Sequence, residues 1–187
     1  DRHPVFSPDG TKIAFESDRA DGIMNLWIMD ADGTNLKQLT FNKIGAYDPA
    51  FSPDGKRLLF SANGAEGVLN TWVMNIDGTD LRQITTKEHG NTFAPIWSPD
   101  GEKIAFISSS SGAYAVWVMK SSGKKPYLVT TGEPYPKEKA YKLTTGGNGD
   151  WGPTWSPDGK VIAYASRRDG IKENAVLIKA KEFLSQQ

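Results

Sequence analysis

Apolar residues fall along this chain in short runs of four to six, separated by clusters of Gly, Pro, Asp, Asn and Ser, and the runs recur in register. Phe6, Phe51, Trp97 and Trp155 are each followed nine residues later by Phe15, Phe60, Phe106 and Tyr164. A third run comes next: Leu26-Trp27-Ile28-Met29, Thr71-Trp72-Val73-Met74, Val116-Trp117-Val118-Met119 and Val176-Leu177-Ile178-Lys179. In three copies a fourth run closes on Leu39-Thr40, Ile84-Thr85 or Val129-Thr130. Runs this short, rich in β-branched and aromatic residues and bounded by turn formers, predict strands rather than helices. Several are apolar at consecutive positions, so each sheet should be buried on both faces, as when small sheets stack on one another. The pattern predicts an all-β protein, a β-propeller of four-stranded antiparallel blades with four repeats in this chain. Blade limits fall near residues 1–45, 46–90, 91–149 and 150–187 of a single domain.

The repeats are anchored by one phrase: Phe6-Ser7-Pro8-Asp9-Gly10, Phe51-Ser52-Pro53-Asp54-Gly55, Trp97-Ser98-Pro99-Asp100-Gly101 and Trp155-Ser156-Pro157-Asp158-Gly159, whose serines lie 45, 46 and 58 residues apart. Proline presets φ at the second turn position, Asp suits the third, and Gly accepts the positive φ that follows. The phrase therefore predicts the hairpin between first and second strands. A serine followed two residues on by an aspartate suggests a nucleophile, but no histidine accompanies it and an active site is not needed four times over. Asp30-Ala31-Asp32-Gly33-Thr34 and Asn75-Ile76-Asp77-Gly78-Thr79 have oxygen-rich spacing without the twelve-residue loop and closing glutamate of an EF-hand. They too read as turns.

Pro-x-aromatic-Ser-Pro-Asp-Gly-x-x-Ile-Ala-Phe, followed by Glu16-Ser17-Asp18-Arg19, Asn25-Leu26-Trp27-Ile28-Met29 and Asp32-Gly33-Thr34-Asn35-Leu36-Lys37-Gln38-Leu39-Thr40, resembles the WD40-like (PD40) β-propeller repeat of the TolB family. The resemblance covers the chain apart from about residues 132–148, and similar repeats form the propellers of prolyl-oligopeptidase-type and tricorn-like peptidases. It implies a non-catalytic periplasmic protein that binds partner proteins. TolB-like propellers have six blades behind a separate α/β domain, which this sequence does not carry.

Composition narrows the chemistry. Twenty-two basic and twenty-two acidic residues cancel, so no net field draws nucleic acid or anionic lipid. No apolar stretch approaches the roughly 20 residues of a membrane span. Cysteine is absent, which removes disulfides, thiol nucleophiles and thiolate metal sites. There is no Gly-x-Ser-x-Gly elbow, phosphate loop or His-Glu-x-x-His zinc motif, and His3 and His89 are the histidines. No catalytic residue, metal or cofactor is called for, and His89 reads as a polar loop residue. The chain starts at Asp1 without Met, from which a removed leader or a longer parent protein is expected. Ring closure has three solutions: closure alone, pairing of two chains as a homodimer completing a larger propeller, or membership of a longer propeller.

Function is expected on the face opposite the Ser-Pro-Asp-Gly turns, where loops enter first strands and link second to third strands. Its entering positions are Arg2, Tyr47, Phe93 and Trp151, followed by His3, Asp48, Ala94 and Gly152. Tyr47, Phe93 and Trp151 beside His3, Asp48 and Asp150 form the candidate binding cluster, with Arg19, Arg167 and Arg168 as charged rim groups. The same aromatics would equally serve to plug a central channel. The insertion near residues 131–148 carries Lys137, Lys139 and Lys142 and reads as a surface loop. Within it Leu143-Thr144-Thr145-Gly146 repeats Val129-Thr130-Thr131-Gly132, so either fits the outer strand of the third blade. A protein-binding scaffold is the leading function; a peptidase's propeller module and a carbohydrate-binding or lyase propeller are the alternatives.

Overall fold

The computed structural model of the chain describes residues 1–112, 114–122, 141–142, 150–166 and 174–179, with residues 141–142, 150, 151, 166 and 174–179 described through their backbone. The described part is strands and turns, plus one short 3-10 turn at Lys87–His89. β1 (Arg2–Phe6), β2 (Lys12–Ser17), β3 (Asn25–Asp30) and β4 (Lys37–Gln38) form the first antiparallel sheet, in chain order. β5 (Ala46–Phe51), β6 (Arg57–Asn63), β7 (Leu69–Asn75) and β8 (Arg82–Gln83) repeat it. β9 (Thr92–Trp97), β10 (Lys103–Ser108), β11 (Ala115–Lys120) and β12 (Tyr141–Lys142) make the third sheet, and β13 (Asp150–Trp155), β14 (Val161–Ser166) and β15 (Asn174–Lys179) three strands of the fourth. These are propeller blades, at the places the repeats predict.

Tyr141 pairs with Val118 and Lys142 with Trp117, so the outer strand of the third sheet directly precedes Leu143-Thr144, as Lys37–Gln38 precedes Leu39-Thr40 in the first. Of the two copies of that phrase, the second follows the paired strand. The remainder of the insertion lies outside the described residues, as does the Ala180–Gln187 segment.

The chain divides into two compact units, residues 1–87 with Thr92–Pro95, and Glu88–Asn91 with residues 96–187. In the first, Ala14, Leu26, Ile28 and Leu39 pack on Ala46, Leu58, Phe60, Ala62 and Met74, with Val5, Phe51, Trp72 and Ile76 at the margin. β6 is buried on both faces: Leu58, Leu59 and Ser61 have no exposed surface, and Phe60 and Ala62 only 2% each. That explains its unbroken apolar run, because residues alternating to opposite faces all meet protein. In the second unit Ile104, Ala105, Phe106 and Ile107 of β10 are likewise fully buried. Trp117 is buried, whereas Trp27 and Trp72 are half-buried and donate their indole N–H groups to the carbonyls of Ser17 and Ala62.

The Ser-Pro-Asp-Gly turns are built four times on one scheme. Ser7 Oγ donates to Asp9 Oδ1 (2.5 Å) and accepts the Lys12 amide (2.9 Å), while the Gly10 amide reaches the Ser7 carbonyl (2.8 Å) at φ +71°. Ser52, Ser98 and Ser156 repeat both hydroxyl bonds with Asp54 and Arg57, Asp100 and Lys103, and Asp158 and Val161. Each serine is thus consumed by its turn. The Ser7 hydroxyl and the Thr11 amide hold the Asp9 carboxyl down at about 2, and the Ser156 hydroxyl and Lys160 amide do the same for Asp158. Asp54 is lowered chiefly by Ser52; at Asp100 burial opposes, but Ser98 and the Glu102 amide outweigh it. Because these folded-state values lie below the ordinary 3.8, the turns stabilise the fold above that pH and lose their contribution as pH falls toward 2. A urea-midpoint series should therefore decline below about pH 4, and Asp9→Asn together with Asp158→Asn should flatten that limb. An undiminished decline in the double variant would assign acid sensitivity to other groups.

Candidate functional site

Three strands of the first unit bring one imidazole and two carboxylates together. His3 stands on β1, Glu16 on β2 and Asp48 on β5, and one ligand atom from each lies within 4.8 Å of the others. His3 and Asp48 are the residues immediately before the repeat prolines Pro4 and Pro49. Both adopt left-handed backbone, at φ +47° and +57°, as do Ala94 (+50°) and Gly152 (+59°) at the equivalent places of β9 and β13. A non-glycine residue in that region is uncommon and strained. The strain coincides with an interruption in pairing: the β1–β2, β5–β6 and β13–β14 registers each shift across this position, between Arg2 and Val5, Tyr47 and Ala50, and Trp151 and Thr154. Such a bulge turns the amide out of its own ladder and leaves it seeking another acceptor.

Carboxylates supply those acceptors. Glu16 Oε1 accepts the Asp48 amide at 2.7 Å, and Asp48 Oδ2 accepts the Ala94 amide at 3.0 Å and the Ser61 hydroxyl at 2.9 Å. Side chains of one sheet thereby hold the first strand of the next. Glu16 Oε1 also bonds His3 Nδ1 at 2.7 Å. The His3 side chain is 65% exposed and that of Glu16 only 2%, so the cluster runs from solvent into the sheet. The bond to Glu16 and its negative charge raise the His3 pKa above the ordinary 6.5; partial burial and Arg2 oppose, and Asp48 adds to the rise.

Of the residues chosen from sequence, His3 and Asp48 meet in this cluster. Tyr47 and Phe93, adjoining Asp48 and Ala94, are half-buried, and Tyr47 Oη donates to the Ile44 carbonyl at 3.2 Å. Tyr47 also folds back over Gly45, where an added Cβ would lie 2.1 Å from its hydroxyl. Arg19 is exposed and tied to the first sheet: one terminal guanidinium nitrogen bonds both carboxylate oxygens of Asp1 at 2.9 Å, Nε reaches Ser17 Oγ at 2.8 Å, and the group lies over the Phe15 and Trp27 rings at 5.0 and 5.2 Å. Asp150 and Trp151 are placed on β13 through their backbone, their side chains lying outside the described residues, as do Arg167 and Arg168. The Asp-Gly-Thr turns close on themselves, Asp32 Oδ1 accepting the Thr34 amide and hydroxyl and Asp77 Oδ1 those of Thr79. Ser108 donates its hydroxyl to the His89 carbonyl, which fixes the loop expected there.

Glu16 is the residue that sequence reasoning missed. Its repeat equivalents are Ser61, Ile107 and Ala165, so one carboxylate stands in a strand position otherwise small or apolar. That departure was the available signal.

The sequence pattern of the TolB beta propeller domain, PD40, matches residues 43–140. The chain belongs to this family. The Tol-Pal system protein TolB of Alcanivorax borkumensis is 37% identical over 78 residues, which is 41% of this chain and 15% of that protein. Among solved structures, a TolB candidate from Agrobacterium tumefaciens superposes with a TM-score of 0.79 at 24% identity, covering 96% of this chain and 61% of its own. TolB from Acinetobacter baumannii superposes with a TM-score of 0.75 at 23% identity, covering 96% of this chain and 41% of its own. The chain thus spans less than two thirds of the length of each of these relatives. Among the described residues no helix is long and apolar enough to cross a membrane.

Proposed function

We propose that this TolB-family propeller is a non-catalytic, extracytoplasmic scaffold that binds a protein partner through the loops entering its first strands. The observation carrying the reading is the carboxylate-to-amide relay, in which Glu16 holds Asp48 and Asp48 holds Ala94. It holds the backbone next to Tyr47 and Phe93, Glu16 also bonds the His3 ring, and a binding face is most effective when ordered before its partner arrives. Half-buried aromatics flanked by polar groups are the residue types that dominate protein interfaces. The relative from Alcanivorax borkumensis is named as part of a Tol-Pal system, and on that likeness the partner proposed here is the Pal component of such a system, with a periplasmic location.

Titrating purified Pal into the chain by calorimetry tests the reading. Wild type should bind, and Phe93→Ala should weaken binding by about 2 kcal/mol, roughly thirtyfold, if Phe93 is an interface anchor. Circular dichroism unchanged from wild type would show that the variant remains folded. Identical affinities in the two proteins would remove the face from the interface, and an absence of binding by wild type would remove this partner.

A further inference from the structure

We propose that His3, Glu16 and Asp48 bind a divalent transition-metal ion, zinc foremost. This goes beyond the partner-binding reading and does not depend on it. His3 Nδ1 and Glu16 Oε1 lie 2.7 Å apart in a hydrogen bond whose proton a metal ion would displace as the two atoms move slightly apart, and the third ligand atom lies within 4.8 Å. Zinc takes imidazole nitrogen and carboxylate oxygen at about 2.0–2.2 Å, so a modest rotation of the exposed imidazole or of Asp48 closes the set.

Three features separate this cluster from the other acidic groups among the described residues. It contains an imidazole, which favours a transition metal over calcium or magnesium. Its ligands come from three strands whose backbone is fixed by the bulges and by the amide bonds to Glu16 and Asp48, so the donors are positioned before an ion arrives. Its charge is also unbalanced, because two carboxylates converge on one imidazole and one of them is 98% covered by protein, where the repulsion between like charges is least screened by water. Arg2 is the further basic group acting on His3, and it stays exposed. A divalent cation would neutralise both carboxylates at once. Since His3 is mostly exposed, such a site would keep a coordination position open to solvent or to a donor group on a bound molecule.

The test uses the whole chain, stripped with chelator, in a non-coordinating buffer near neutral pH. Zinc titrated by calorimetry should bind with one equivalent at micromolar or tighter affinity, calcium at least tenfold more weakly, and cobalt(II) should give visible d–d absorption that zinc abolishes. Loss of even an outer-shell partner costs about 10–100-fold in metal affinity. His3→Ala, at a mostly exposed position, should therefore cost at least about 100-fold, while His89→Ala should leave affinity unchanged. Failure of wild type to bind zinc or cobalt at millimolar concentration would overturn the proposal, as would equal affinities in wild type and His3→Ala.

Discussion

Phe106→Ala should lower the stability of the chain by about 4 kcal/mol, the largest loss expected from any single truncation among these residues. Phe106 lies in β10 opposite Trp117 and has no exposed surface, and its flanking residues Ala105 and Ile107 are equally buried. Removing the ring therefore leaves a cavity on the sheet face that Phe106 fills, which close packing prevents from collapsing. Phe106→Leu retains most of the volume and should cost under about 1.5 kcal/mol. Urea titration followed by tryptophan fluorescence would separate the two. Equal midpoints for the alanine variant and wild type would contradict the reading of the Phe106 face of this strand as covered.

The same residue shows why so much of the fold was legible. Phe15, Phe60, Phe106 and Tyr164 occur nine residues after an aromatic that opens a Ser-Pro-Asp-Gly turn, and the fixed loop length of that hairpin pairs the opening aromatic with the residue seven on, Phe6 with Ile13, Phe51 with Leu58 and Trp155 with Ile162. Once the turn is read, the register follows. The choice between Val129-Thr130 and Leu143-Thr144 was not legible, because both phrases fit the pattern; pairing of Tyr141 and Lys142 with β11 selects between them.

The site was legible only in part, and the reason lies in the backbone. Sequence placed His3, Asp48 and Ala94 before their prolines but gave no sign that all three take positive φ. The one hint was Gly152 at the fourth equivalent position, a residue that reaches this conformation without strain. Burial of Glu16 was hidden for a related reason. A lone charge in a strand reads as solvent-facing, unless one knows that a bulge in a neighbouring sheet aims a free amide at it. Arg19 is exposed, as a rim charge would be, but its sequence position gave no sign that the guanidinium also covers the Phe15 and Trp27 rings.

Glu16→Ala should destabilise the first unit by about 3 kcal/mol, through an unpartnered amide more than through lost packing. The Asp48 amide sits at a strained positive-φ residue, and Glu16 Oε1 is the acceptor that holds it. A hydrogen bond to a charged group contributes about 1.5–3 kcal/mol, and a donor left unsatisfied in the interior costs about 1–3 kcal/mol. The vacated side-chain volume, 98% covered in the native protein, adds a cavity term. Glu16→Gln keeps an acceptor oxygen at the same reach and should cost about 1 kcal/mol, as expected for a neutral bond in place of a charged one. Glu16→Ile, which copies Ile107 of the third sheet, restores apolar packing without the acceptor and should fall between them. The order Gln, Ile, Ala in increasing loss is the signature of the amide clip, because packing alone would place Ile nearest to wild type. A measured order with Ile least damaging would make Glu16 a filler of space and leave the strained backbone at Asp48 held by its flanking strands.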